Sequence, residues 1–153
     1  MPLPSRSDSR TQFLSVFGAL FPTSEWPPLK LEPLLGSLQY RSLDAGAVIL
    51  REGQVCAAVP FVMEGAIRVF KISESGREIT LYRIEKGQSC ILSLGCGEGI
   101  DSFPASVVAE TETRAAFIPS ETVKRLFSEG HAFSDFVRSQ YSRRMAEVIE
   151  LVE

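Results

Sequence analysis

The side chains best suited to chemistry in this chain are three cysteines, Cys56, Cys90 and Cys96, and one histidine, His131. Cys90 and Cys96 lie six positions apart, where an apolar stretch gives way to a loop broken by Gly95, Gly97 and Gly99. That spacing could bring two thiols together as a redox pair, and the alternative is that all three are small buried apolar groups. Three thiols are too few for a self-contained four-thiolate iron–sulfur cluster. One histidine builds neither a Ser-His-Asp triad nor a metal site, which needs several convergent ligands. His131 reads instead as a helix-start residue beside Gly130. Neither a Gly-x-Ser-x-Gly turn nor a phosphate-binding glycine loop occurs. No catalytic residue, metal site or cofactor is therefore assigned, and the chain reads as a non-enzyme. A cupin-type oxygenase, whose roll holds metal with two or three histidines, is a distant alternative.

The elements around these residues follow from glycine spacing. Gly46, Gly53, Gly65, Gly76 and Gly87 separate short apolar runs such as Val48-Ile49-Leu50, Phe61-Val62-Met63 and Ile79-Thr80-Leu81-Tyr82. Short strands with turn residues at such intervals predict a rolled antiparallel β architecture. Residues 67–72 and 77–84 alternate apolar and polar, with a hairpin turn at Ser73-Glu74-Ser75-Gly76. Two further strands are expected at 105–110 and 114–119. Residues 1–10, polar and proline-bearing, read as disordered. Two small helices follow, the first carrying Phe13, Leu14, Val16, Phe17 and Leu20, the second opened by Pro27-Pro28. After the strands, Ser120 is a good N-cap for a helix ending near Gly130. A longer helix then runs from about Ala132 to the last residue, with Phe133, Val137, Tyr141, Met145, Val148 and Val152 on one stripe. Arg143 and Arg144, with Glu147 and Glu150, read as its solvated flank. The pattern is still running at Glu153, which reads as a chain shortened relative to its relatives.

The 153 residues suffice for one domain, and the net charge of −3 argues against this chain alone binding nucleic acid. There is no apolar run long enough to span a membrane and no secretory core at the N-terminus, so a cytoplasmic protein is expected. The fold class expected is α+β, mainly β: a double-stranded antiparallel β-roll, jelly-roll-like, with small N-terminal helices and a long C-terminal helix.

Local wording sharpens this. Gly46-Ala-Val-Ile-Leu-Arg-Glu-Gly53 and Phe61-Val-Met-Glu-Gly-Ala-Ile-Arg-Val69 resemble the paired opening motifs of Crp/Fnr-type bacterial transcription regulators. Gly76-Arg-Glu-Ile-Thr-Leu-Tyr82 and Gly87-Gln-Ser-Cys-Ile-Leu-Ser93 resemble one branch of that family. The resemblance covers roughly residues 11–153. It implies a cyclic-nucleotide-binding-like sensor domain over 11–131 and a dimerisation helix over 132–153. The family's winged helix-turn-helix is absent, so DNA would be reached only through a missing C-terminal domain. A homodimer is expected, with Val137, Tyr141, Met145, Val148 and Val152 at its interface. The alternative is a stand-alone ligand-binding or interaction domain on the same scaffold with no DNA role.

Cyclic-nucleotide binders of this kind hold the ribose with a Gly-Glu pair and the phosphate with an arginine. Here those positions read Ile91-Leu92 and Phe103-Pro104, and no arginine lies between Arg83 and Arg114. The polar pair that the terminal helix gives to the base is replaced by Val148-Ile149. Apolar groups cannot replace a phosphate's hydration, so cAMP is not expected to bind. A smaller or more apolar, unidentified effector is the resulting expectation, enclosed by Ile91, Leu92, Ser93, Phe103, Ser106, Tyr141 and Met145. The alternative is that these residues only fill the core. Haem-binding relatives place a cysteine and a histidine where this chain has Ile91 and Ser93, so haem is not expected.

Overall fold

The structure is a computed structural model that describes residues 4–20, 28–94, 102–128 and 131–150. Two helices, α1 (Arg6–Leu20) and α2 (Pro28–Ser37), precede strands β1 (Gln39–Leu43), β2 (Val48–Leu50), β3 (Ala58–Glu64), β4 (Ala66–Ile72) and β5 (Glu78–Glu85). A single helical turn, α3 (Ile91–Leu94), leads to β6 (Ser106–Ala109) and β7 (Thr113–Pro119). Helices α4 (Ser120–Ser128) and α5 (His131–Glu150) close the chain. The strands form two antiparallel sheets, ordered β1-β7-β3 and β2-β6-β4-β5. The expected β-roll is therefore present.

Burial explains which strands alternate in sequence and which do not. In β4, Ile67 and Val69 face the roll interior, while Arg68 and Lys71 do not share that burial. In β3, Val59, Phe61 and Met63 pack with the helices, and Val62 packs inside the roll. Both faces of β3 are buried, so its sequence is a continuous apolar run. The helix-side core joins α1, β3 and α5 through aromatic rings. Phe13 and Phe17 stack at 5.0 Å, both meet Phe61 edge-on at 5.4 and 5.5 Å, and Phe17 lies 6.1 Å from Phe136. Such pairs add to the burial of large apolar surfaces.

Two expectations need correction. Residues 1–10 read as disordered, yet α1 begins at Arg6. Ser5 caps it: its Oγ accepts from the Asp8 backbone N–H at 3.1 Å and donates to the Asp8 carboxylate at 2.7 Å. This N-cap gives a partner to one of the first-turn N–H groups that the helix itself leaves unpaired. The solvated flank assigned to Arg144 is also wrong. Arg144 is 5% exposed, and the buried face of α5 runs through Phe133, Phe136, Val137, Gln140 and Arg144.

Gly65 joins β3 to β4 at φ 94°, a conformation glycine adopts without cost. A Cβ there would lie 2.3 Å from the Glu112 carbonyl oxygen, whereas Gly76 (φ 84°) has nothing within 4 Å. Gly65→Ala is therefore expected to lower the unfolding free energy by about 3 kcal/mol or more, and Gly76→Ala by only about 1 kcal/mol. Urea denaturation of both variants checks this, and equal losses would contradict the stated crowding at Gly65.

Candidate effector site

The turn after β5 is tied to the rest of the roll by its backbone. Gly87 N–H donates to the Val62 carbonyl at 2.8 Å, and Val62 N–H donates to the Gln88 carbonyl at 3.1 Å. The Gln88 side-chain oxygen accepts the Glu85 N–H at 2.9 Å and closes the turn. The same oxygen accepts from Arg144 Nη2 of α5 at 2.6 Å. Arg144 Nη1 donates to Glu147 at 2.8 Å, and the guanidinium stands 5.1 Å from the centre of the Tyr82 ring. A buried guanidinium needs such partners, because it has lost its water.

Beneath Arg144 the Tyr82 hydroxyl lies 3.3 Å from Cys90 Sγ. Burial pushes the Tyr82 phenol well above its ordinary value, and burial likewise pushes the Cys90 thiol up. Cys90 is thus held as a protonated thiol, the unreactive form. Around it lie Phe103 and Ala105, both fully buried, with Leu92 packed against them. Phe103 is fixed by two backbone bonds of 2.9 Å, from its N–H to the Gln54 carbonyl and from the Gly53 N–H to its own carbonyl.

The residues expected to enclose an effector are only partly brought together. Leu92 and Phe103 share one core cluster. Ser93 is buried and lines a groove of about 190 Å³ with Cys56, Val107 and Phe117. Ser106 Oγ accepts the Glu52 N–H at 3.1 Å and so braces the turn after β2. Tyr141 and Met145 are exposed on α5 and line neither this groove nor the next. The side chain of Ile91 lies outside the described residues, as do Cys96 and Val152. A second groove, about 210 Å³, runs between β5 and α5 and is lined by Leu81, Tyr82, Arg83, Glu85, Gln88, Arg144, Glu147 and Val148. Sequence reasoning missed Gln88, Tyr82 and Arg144. The available signal was the spacing of Val137, Gln140 and Arg144, which places two polar residues on the core face of α5.

No three His, Cys, Asp or Glu side chains among the described residues are grouped to hold a metal, and no described helix is long and apolar enough to cross a membrane. Of the interface residues expected on α5, Val137 is buried within the chain's own core. Tyr141, Met145, Val148 and the neighbouring Ile149 are 42%, 62%, 44% and 63% exposed.

Comparison with known proteins agrees with this architecture. The sequence profile of the cyclic nucleotide-binding domain matches residues 40–129, and the chain belongs to that family. Among solved structures it is similar to a candidate transcriptional regulator of the Crp/Fnr family from Eubacterium rectale, with TM-score 0.77 and 24% identity over 88% of this chain and 62% of that one. It is also similar to the sensor domain of the transcriptional regulator DNR from Pseudomonas aeruginosa, with TM-score 0.71 and 17% identity over 97% of this chain and 95% of that domain. The catabolite activator protein of Thermus thermophilus matches with TM-score 0.65 and 24% identity, over 84% of this chain and 60% of that one. The chain thus spans less than two thirds of the length of the first of these, and their likeness is one of fold. No curated protein matches it.

Cys90 and Tyr82 are neutral when protonated, and their ordinary values are 9.0 and 10.0. Because both are raised in the folded chain, unfolding releases their protons above about pH 9. Stability is expected to hold up to about pH 8, and then to fall as pH passes 9.0 for Cys90 and 10.0 for Tyr82, each group approaching about 1.4 kcal/mol per pH unit above its own ordinary value. Urea denaturation between neutral and alkaline pH checks this. A slope unchanged in a Tyr82→Phe, Cys90→Ala double variant would contradict it.

Proposed function

We propose that this chain is the effector-sensing and dimerising part of a Crp/Fnr-type transcription regulator, and that its effector is not a cyclic nucleotide. The observation that carries this reading is the division of labour on α5. One face seats the helix on the sensor roll through Val137, Gln140 and Arg144. The adjacent strip, Tyr141, Met145, Val148 and Ile149, stays open to solvent on a family scaffold. A strip of this kind, three to four residues apart, suits parallel pairing with a second copy. Pairing makes the orientation of α5 a quantity that an effector can change, provided it weighs two arrangements differently. DNA would then be read by a helix-turn-helix outside this sequence, in the cytoplasm.

The nature of the effector is argued from what surrounds Cys90. A cyclic phosphate needs a guanidinium fork or a set of N–H groups. No arginine lies between Arg83 and Arg114, and Phe103 is buried where the family places that charge. Both guanidiniums that line the groove between β5 and α5 are engaged, Arg144 by Gln88 and Glu147 and Arg83 by Glu110. These features support a smaller, less charged effector taken into the groove between β5 and α5.

Sedimentation equilibrium tests the pairing. The chain is expected to dimerise reversibly, and Met145→Glu to weaken dimerisation at least tenfold by placing a charge in an apolar contact. A monomer at all concentrations, or an unchanged dimer in Met145→Glu, would overturn the assignment of this strip.

A further inference from the structure

A separate groove of about 310 Å³ lies between the start of α1 and the junction of α2 with β1. It is lined by Arg6, Ser7, Arg10, Leu35, Gly36 and Tyr40. Arg6 and Arg10 are one helical turn apart, so their guanidiniums share a face of α1. Arg6 donates to the Gly36 and Leu38 carbonyls over long contacts of 3.4 Å each, and its guanidinium is 5.7 Å from the centre of the Tyr40 ring. Arg10 reaches Glu32 at 2.6 Å, but that carboxylate side chain is 67% exposed. An ion pair so open to water contributes little and yields readily to a better-charged partner. With Glu32 counted, the groove carries a net charge of about +1 by simple addition, on a chain whose net charge is −3.

Tyr40 supplies the observation that points to a ligand. Its hydroxyl is buried and has no hydrogen-bond partner. A buried, unmatched hydroxyl is costly, and native structures leave few of them without a reason. Burial raises the Tyr40 phenol, while the charges of Arg6 and Arg10 pull it back, so the field of both arginines falls on this hydroxyl. Nothing lies within 4 Å of the position a Gly36 Cβ would take, which leaves room beside the backbone. Leu35 gives the groove an apolar wall.

We propose that this groove binds a small phosphoryl-bearing anion, with Arg6 and Arg10 on its oxygens, the Ser7 hydroxyl as a further donor, and the Tyr40 hydroxyl reaching it by a small shift of its side chain. Two guanidiniums match a dianion better than a single carboxylate, and a planar fork suits phosphoryl oxygens. The space exceeds that needed by phosphate alone, so an organic remainder would lie on Leu35. The span matched by the family profile begins at residue 40, so the arginines belong to a part of the chain outside it. This proposal does not depend on the reading of α5.

The test is thermal unfolding and ³¹P NMR titration of the full chain with inorganic phosphate, against chloride at matched ionic strength. Phosphate is expected to raise the unfolding temperature saturably, by a few degrees at about a hundredfold excess over its dissociation constant. Arg10→Gln is expected to weaken binding about tenfold and Tyr40→Phe severalfold, as for loss of a charge-assisted and a neutral hydrogen bond respectively. Tighter binding of glycerol phosphate than of inorganic phosphate would support contact with Leu35. An equal rise with chloride, or half-saturation unchanged in both variants, would overturn the proposal. So would saturable binding of citrate without binding of phosphate.

Discussion

A buried guanidinium sets the geometry of this domain. Arg144 has left water, and a charge in that position must be matched on every side or it destabilises the fold. Gln88, Glu147 and the face of Tyr82 provide the match. Each partner belongs to a different level of the structure. Glu147 lies one turn along the same helix. Tyr82 is a strand residue of the roll. Gln88 closes the turn whose backbone is bonded to Val62 in β3. Since Phe61, next to Val62, holds Phe13 and Phe17 of α1, a continuous packed path leads from the C-terminal helix through the roll to the N-terminal helix. The rotation of α5 about its own axis follows from this seat. With Gln140 and Arg144 turned inward, Tyr141 and Met145 are turned outward.

The same region combines the family scaffold with an apolar interior. The glycine-spaced strands, the turn at Gly87 and the long helix all persist in a chain of the cyclic nucleotide-binding family. The interior beside that turn is apolar and closed by Phe103, Cys90 and Tyr82. The two arginines of the adjoining groove already have partners, Arg144 in Gln88 and Glu147 and Arg83 in Glu110. We read this as a site retuned for an uncharged or weakly charged effector, which would act by loosening or tightening the seat of Arg144. An effector works this way only through a difference in affinity between two positions of the helix.

Much of this was legible in the residues alone. The alternation over Ile67–Ile72 marked β4 as a strand with one buried face, and Ser120 marked the start of α4. The continuous run in β3 was harder to read, because a strand buried on both faces loses its period of two. β1 was missed: Gly36 blurred the end of α2, and Gln39-Tyr40-Arg41-Ser42 carries little apolar contrast. α3 escaped notice because one turn is too short to show a helical period. At α1, proline and polar residues suggested disorder, while the decisive signal was the pair Ser5 and Asp8 three apart. The stripe on α5 reads as one surface in the sequence. Phe133 and Val137 belong to the core, Tyr141 and Met145 do not, and the residue that separates the two faces is an arginine that pattern reading assigns to water.

We propose that this domain keeps the cyclic nucleotide-binding fold without the means to hold a nucleotide. Isothermal titration calorimetry of the chain with cAMP tests this directly. No saturable heat is predicted up to about 1 mM ligand, the range in which a binding free energy weaker than about 4 kcal/mol leaves the site mostly empty. Saturable binding with a micromolar dissociation constant would contradict it, since it would require a phosphate site that the residues around Cys90 and Phe103 do not provide.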